Sequence, residues 1–202
     1  MSSLTFSFLN QDNRAEIVAL RKEVFNEYYG ASVDEAGLEW NKMDQASVHL
    51  GIFNSNELVS CLRLSFFKDF DTLENTTLIT IPPDFQTPAA LLARAATKKD
   101  FLYSGLHSLL RCRALEVCAQ HKIFNILGSL EERSLRKAQL LELGYKIVGS
   151  SPGWKNSYLK NTGNVILIAL KGEIPVKNAI EKLVEKCKTS GLSTWPSEIN
   201  FL

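Results

Sequence analysis

Long apolar runs, paired cysteines and an excess of one charge sign are all missing from this chain of 202 residues. No apolar stretch approaches the roughly eighteen residues that a membrane-spanning helix needs, and no charged-then-apolar leader follows Met1. A membrane span and a signal peptide are therefore not expected, and the reading is a cytoplasmic protein. The four cysteines, Cys61, Cys112, Cys118 and Cys187, include no CxxC pair. They show no ligand-like spacing with His49, His107 or His121, so no metal site is expected and the thiols read as reduced. With 23 Lys and Arg against 22 Asp and Glu, the net charge is +1. Nothing global then draws the chain to nucleic acid or to an anionic membrane. Internal repeats and low-complexity segments are absent too.

What is present is ordinary globular material. A hydrophobic content of 45% supplies a core, and the length suits one large domain or one domain with an appendage. TFSFL (5–9) reads as a strand. Residues 14–29 place Ile17, Leu20, Val24, Phe25 and Tyr28 at helical spacing. Two apolar runs, 48–53 and 57–67, flank the polar tip Asn54-Ser55-Asn56 and predict a hairpin. Residues 68–87 read as irregular because of Pro82-Pro83. AALLARAAT (89–97) is apolar, and periodicity alone leaves strand and helix open. A helix is predicted from Gly105 to about Gln120, then a buried strand over 123–130. A second helix over 131–144 has acids in its first turn and Gly144 as its stop. Strands at 145–150 and 165–170 flank a polar loop with Pro152, Gly153 and Trp154. An amphipathic helix follows over 174–188, started by Pro175, and the tail past it reads as irregular. The order predicts an α/β (α+β) mixed sheet flanked by helices, with the parallel pair joined by a helical crossover.

Several residues stand out against this background. Arg63 and Arg94 lie inside apolar runs, where a guanidinium must pair with an acid, reach water or bind an anion. Glu39 and Asp44, in the polar stretch before the hairpin, are candidate acceptors of a proton; the plain alternative is two loop acids. Gly105 opens a long helix after Tyr103-Ser104, where unserved N–H groups and the helix dipole favour an anion. A connector glycine would read the same. His107 in the first turn is a base candidate whose neutral form the dipole favours, and His49 beside a strand is another. Phe25, Trp40, Phe66, Phe67 and Phe101 are large apolar groups that either line a ligand pocket or belong to the core. The cysteines read as packing residues.

Strand, glycine turn, long helix, strand, helix and then Leu143-Gly144-Tyr145 resembles the core of the GNAT acyltransferase superfamily. The stretches LRKEVFNEYYG, GLEWNKMDQASVHL and LVSCLRLSFF are similar to the branch of N-acyl amino acid synthases and acyl-homoserine-lactone synthases. There Arg21 and Phe25 match the first helix, Glu39 and Asp44 the acids before the hairpin, Arg63 the second hairpin strand and Arg94 the strand before the turn. The resemblance covers about residues 5–172. It implies an acyltransferase domain over 1–172 with residues 173–202 as a C-terminal helix and tail packed on it. The departures are specific. The turn keeps only Gly105 of the family's (Arg or Gln)-x-x-Gly-x-(Gly or Ala), Leu91 stands where the branch often has Glu, and Leu140 where many acetyltransferases have Tyr. Asn41 replaces a further acid, which argues against homoserine-lactone synthesis.

The resemblance implies N-acyl transfer from an acyl carrier protein or acyl-CoA thioester to an amine: an amino acid, a polyamine, or a Lys or Orn side chain of a peptide. No permanently bound cofactor is implied. The donor's phosphate would rest on the turn at Ser104, Gly105 and Leu106, and the oxyanion on backbone N–H groups around Ala95, Ala96 and Thr97. Arg21, Phe25, Trp40, Phe66, Phe67 and Phe101 would bind substrate, and the aromatics favour a medium or long acyl chain. The alternatives are a small-acyl CoA N-acetyltransferase and a non-catalytic GNAT-like binding module.

Overall fold

A computed structural model of the chain describes residues 4–30, 33–77, 82, 84–151 and 164–189. Among these residues seven strands form one sheet: β1 (Leu4–Leu9), β2 (Val48–Asn54), β3 (Glu57–Phe67), β4 (Ala89–Thr97), β5 (Asn125–Glu131), β6 (Lys146–Ser151) and β7 (Val165–Lys171). Their order is β1-β2-β3-β4-β5-β7-β6. Only β4 and β5 run parallel; every other neighbouring pair is antiparallel. The helices are α1 (Arg14–Tyr29), α2 (Lys42–Gln45), α3 (Phe70–Thr77), α4 (Leu106–Gln120), α5 (Arg136–Glu142) and α6 (Glu173–Thr189). The crossover from β4 to β5 is α4, as a parallel pair requires.

Alternation along the central strands assigns the faces. In β3, Leu62 and Leu64 pack with α4, whereas Cys61 joins the cluster under α1 and Phe67 the cluster under α3. In β5 and β7, Ile126, Ile166 and Ile168 point to the α4 side, and Leu127, Leu167 and Ala169 to the α3 side. Helix α6 buries Val176, Ala179, Leu183 and Cys187 in the same cluster as α4. It is a full part of the main core.

One segment left open in sequence is settled, and two differ from their sequence reading. AALLARAAT is a strand, because β3 and β5 both pair with it and leave almost no residue exposed. Within 68–87, α3 forms: Asp69 accepts the Thr72 N–H at 2.8 Å, and Leu73 is buried against Phe85. A single apolar pair, Phe70 and Leu73, is too short a pattern to mark a helix. The second predicted helix starts later than expected, at Arg136. Glu131 is spent on the ladder opposite Val165, so the acids lie before the helix and outside its first turn. The loop with Pro152, Gly153 and Trp154 and the tail past Thr189 lie outside the described residues.

Candidate active site

The parallel β4–β5 ladder runs from Ala89↔Asn125 to Leu92↔Gly128 and stops there. Both strands go on: β4 to Thr97 along β3, and β5 to Glu131 along β7. Past Leu92 and Gly128 the two strands splay, and their facing backbone edges have no ladder partner on each other. A bulge marks the same point. Arg63 pairs with Ala93 but Cys61 with Ala96, so Arg94 and Ala95 oppose the single residue Leu62. Arg94 takes a left-handed φ of 55°. The extra residue resets the alternation: Ala93 packs on the α3-side cluster and Ala96 on the α1-side cluster, both on one face of the sheet.

Beyond Thr97 the chain makes the turn that leads into α4. Lys98 ties it to Glu23 of α1 at 3.0 Å and to Glu57 of β3 at 2.7 Å, and Lys99 reaches Glu27 at 2.8 Å. Gly105 is the N-cap residue with φ 86°, and no side chain caps the helix. Ser104 donates its hydroxyl to the Phe101 carbonyl, within the turn. Leu106 is buried in the core, so only its backbone is left to meet a ligand. Thr97 shares a buried 2.8 Å hydroxyl contact with Ser60.

On the α1 face a buried ionic network sits beside these strands. Asp44 Oδ1 accepts from Arg21 Nη2 at 2.9 Å and from Arg63 Nη1 at 3.1 Å, and its Oδ2 accepts the Asn41 N–H at 3.2 Å. The Asn41 side chain accepts in return from the N–H groups of Met43 and Asp44, a reciprocal cap of α2. Arg21 is 0% exposed and Asp44 1%. Burial alone would raise the Asp44 carboxyl, but Arg21 and then Arg63 hold it below the usual carboxylate range. His49 Nε2 lies 2.9 Å from the Asp44 carbonyl, which can only accept, so that nitrogen carries the proton. Burial carries the His49 pKa down to about 4, leaving a neutral ring stacked on Trp40 at 4.7 Å. With both oxygens engaged and the residue buried, Asp44 ties α1, β3 and the segment before β2 together.

No family model matches the chain, and no curated protein matches it. Solved structures do. The AHL synthase LasI superposes with a TM-score of 0.63 at 18% identity, over 90% of this chain and 96% of its own. FeeM, an N-acyl amino acid synthase from uncultured soil microbes, gives 0.61 at 14% identity over 84% and 92%. An acetyltransferase of the GNAT family from Streptococcus pneumoniae gives 0.57 at 17% identity over 84% and 100%.

The chain has the GNAT fold. Its splayed strand pair and bulge occupy the middle of that fold's sheet, and the appended α6 belongs to its core.

Within this GNAT fold the expected site residues do not all meet. Arg21, Asp44 and Arg63 converge. Glu39 does not: it is 56% exposed and bonds Lys22 at the surface. Arg94 is buried at the bulge. Phe25 and Trp40 pack in the α1-side cluster with Ala96, whereas Phe101 packs with Ala95 on the α4 side. Phe66 and Phe67 sit on opposite faces of β3, Phe66 near His121 and Phe67 against Leu73 and Phe85. The five aromatics therefore do not line one pocket; alternation along β3 separates two of them. His107 lines a cavity between α4, α5 and α6 with Arg111 and Arg136. Its four cationic members, Arg111, Arg136, Lys182 and Lys186, were not singled out in sequence. The first was legible as a polar pair with His107 at i and i+4.

Proposed function

We propose that the protein is an N-acyltransferase that moves an acyl group from an acyl carrier protein or acyl-CoA thioester to an amine. The observation that carries this reading is the open edge of β4 from Ala93 to Thr97, set directly before an uncapped helix start at Gly105. An unpaired strand edge in a buried sheet offers ordered N–H and C=O groups to an extended ligand. A pantetheine arm carries amides to match that edge, and its phosphate suits a helix N-terminus.

In this reading the amine enters neutral, since an alkylammonium with a pKa of ~10 has no lone pair to attack with. It adds to the thioester carbonyl, and N–H groups around Ala95, Ala96 and Thr97 stabilise the oxyanion. The tetrahedral intermediate collapses, the C–S bond breaks, the amine proton passes to water and the thiolate is protonated. Asp44 acts as a positioning residue: it holds Arg21 and Arg63, and with them the segment that closes the α1 side. Phe25 and Trp40, in one cluster with Ala96, are the aromatics that would meet a fatty chain. Each buried CH₂ adds about 0.8 kcal/mol, so a medium or long acyl group would bind better than acetyl. Amino acids and Lys or Orn side chains of peptides are the acceptors proposed.

The test is intact-mass analysis of acyl-CoA and acyl-carrier thioesters of graded length incubated with the protein and a pool of amines. Release of thiol with formation of an acylated amine supports the reading. Donor binding without release would identify a binding module.

A further inference from the structure

A cavity of about 180 Å³ lies between the first two turns of α4, the length of α5 and the middle of α6. Its lining includes four cationic side chains, Arg111, Arg136, Lys182 and Lys186, together with His107 and one carboxylate, Glu142. Lys182 Nζ donates to the Glu142 backbone carbonyl at 2.8 Å. Arg111 is only 7% exposed; Nη1 donates to the Tyr145 hydroxyl at 2.9 Å, and Nε is buried without a partner. Both ring nitrogens of His107 are buried without a partner as well. Burial, then Arg136, Arg111 and Lys186, hold the His107 pKa well below its ordinary value, so the ring is neutral and offers one N–H. Burial and the neighbouring Arg111 also depress Arg136, a sign of cations crowded together.

A buried guanidinium at Arg111 beside a half-buried one at Arg136 costs stability unless an anion joins them. Two guanidinium forks, two ammonium groups and a neutral imidazole form the donor set that binds phosphate oxygens. The volume equals several waters at about 30 Å³ each, and lies under the roughly 300 Å³ where drug-sized pockets begin. It accommodates one small polyatomic anion and not a whole cofactor.

We propose that this cavity is a phosphate-binding site built from α4, α5 and α6, with His107, Arg111, Arg136, Lys182 and Lys186 as its ligands. The site does not depend on the acyl-transfer reading. Its phosphate comes either from a free phosphate or small phosphate ester, or from a phosphate of the thioester donor.

The experiment is calorimetric titration at matched ionic strength with inorganic phosphate, pyrophosphate, CoA and dephospho-CoA. It compares the wild type with Arg136→Gln and with the double variant Lys182→Gln/Lys186→Gln. The two lysines lie on the exposed side of α6, so the double variant is expected to fold even if an arginine variant does not. The proposal predicts saturable pyrophosphate binding that weakens at least tenfold in the variants. If CoA outcompetes dephospho-CoA by tenfold, and the variants erase that difference, the donor supplies the phosphate. If pyrophosphate still binds with CoA saturating, the ligand is independent. Equal or absent binding of all four probes in wild type and double variant overturns the proposal, and leaves acyl transfer to be judged by thiol release alone.

Discussion

At the scale of single residues, Asp44 is the most consequential side chain described. It is the shared acid of two buried guanidinium groups, and removing one partner of a buried ionic network costs about 3–5 kcal/mol. Asp44→Asn keeps the shape and removes the charge, so urea unfolding should show a loss of that order. Glu39→Gln, at an exposed pair, should change stability by less than about 1 kcal/mol. Equal losses from both would contradict the network described. Both acids came forward together in the sequence, because each stands in a polar stretch before an apolar strand. Only tertiary packing distinguishes them, since Arg21 and Arg63 are brought to Asp44 from 23 and 19 residues away.

Protonation at His49 sets a second prediction. Its folded pKa of about 4 lies under the ordinary 6.5, so the unfolded chain binds the proton first as pH falls. The contribution of His49 is fully present above pH 6.5 and is lost between 6.5 and about 4, by up to about 3 kcal/mol. His107 is lowered as well and acts in the same direction. Asp44, with a lowered carboxyl pKa, keeps its contribution above its ordinary 3.8 and loses it only as pH drops further. Denaturant midpoints should fall from pH 7.5 to pH 5, and His49→Gln should flatten part of that slope. A midpoint independent of pH across this range would contradict a buried neutral His49.

At the scale of elements, the turn into α4 and the appended α6 each carry a prediction. Gly105 adopts φ 86°, and an L residue forced there costs roughly 1–2 kcal/mol. Gly105→Ala should lower stability by that amount and weaken donor binding further, read by thermal unfolding and by titration with the thioester. Deleting α6 after Lys171 removes Val176, Ala179, Leu183 and Cys187 from the main core. Each Val or Leu contributes about 1.5–3 kcal/mol on burial, against a total stability of about 5–15 kcal/mol. The truncated chain should lose cooperative unfolding in calorimetry, whereas retention of a sharp transition would make α6 an accessory. Most elements were legible from apolar periodicity, as in α1 and α4. Helix α3 was not, since Leu73 is its one buried residue among the side chains described, and the start of α5 was misplaced because a ladder with β7 claims Glu131. Long-range pairing leaves no mark in a local window.

At the scale of the whole molecule, the seven strands assemble so that one parallel pair opens halfway along its length. The order of elements and the Leu143-Gly144-Tyr145 ending were enough to anticipate this architecture. The bulge at Arg94 was not legible, because an alternation reset by one residue looks like an ordinary apolar run. Nor was the separation of Phe66 from Phe67 read as decisive, although neighbouring residues on a strand must face opposite ways. The cationic cavity was not legible because the net charge is only +1 and its cations come from three helices far apart in the sequence. The most direct test of the account is thiol release from acyl-carrier and acyl-CoA donors of two to sixteen carbons, in the presence of an amine, by the folded protein. The account predicts release that rises with chain length and is matched by acylated amine. No release from any donor would contradict it.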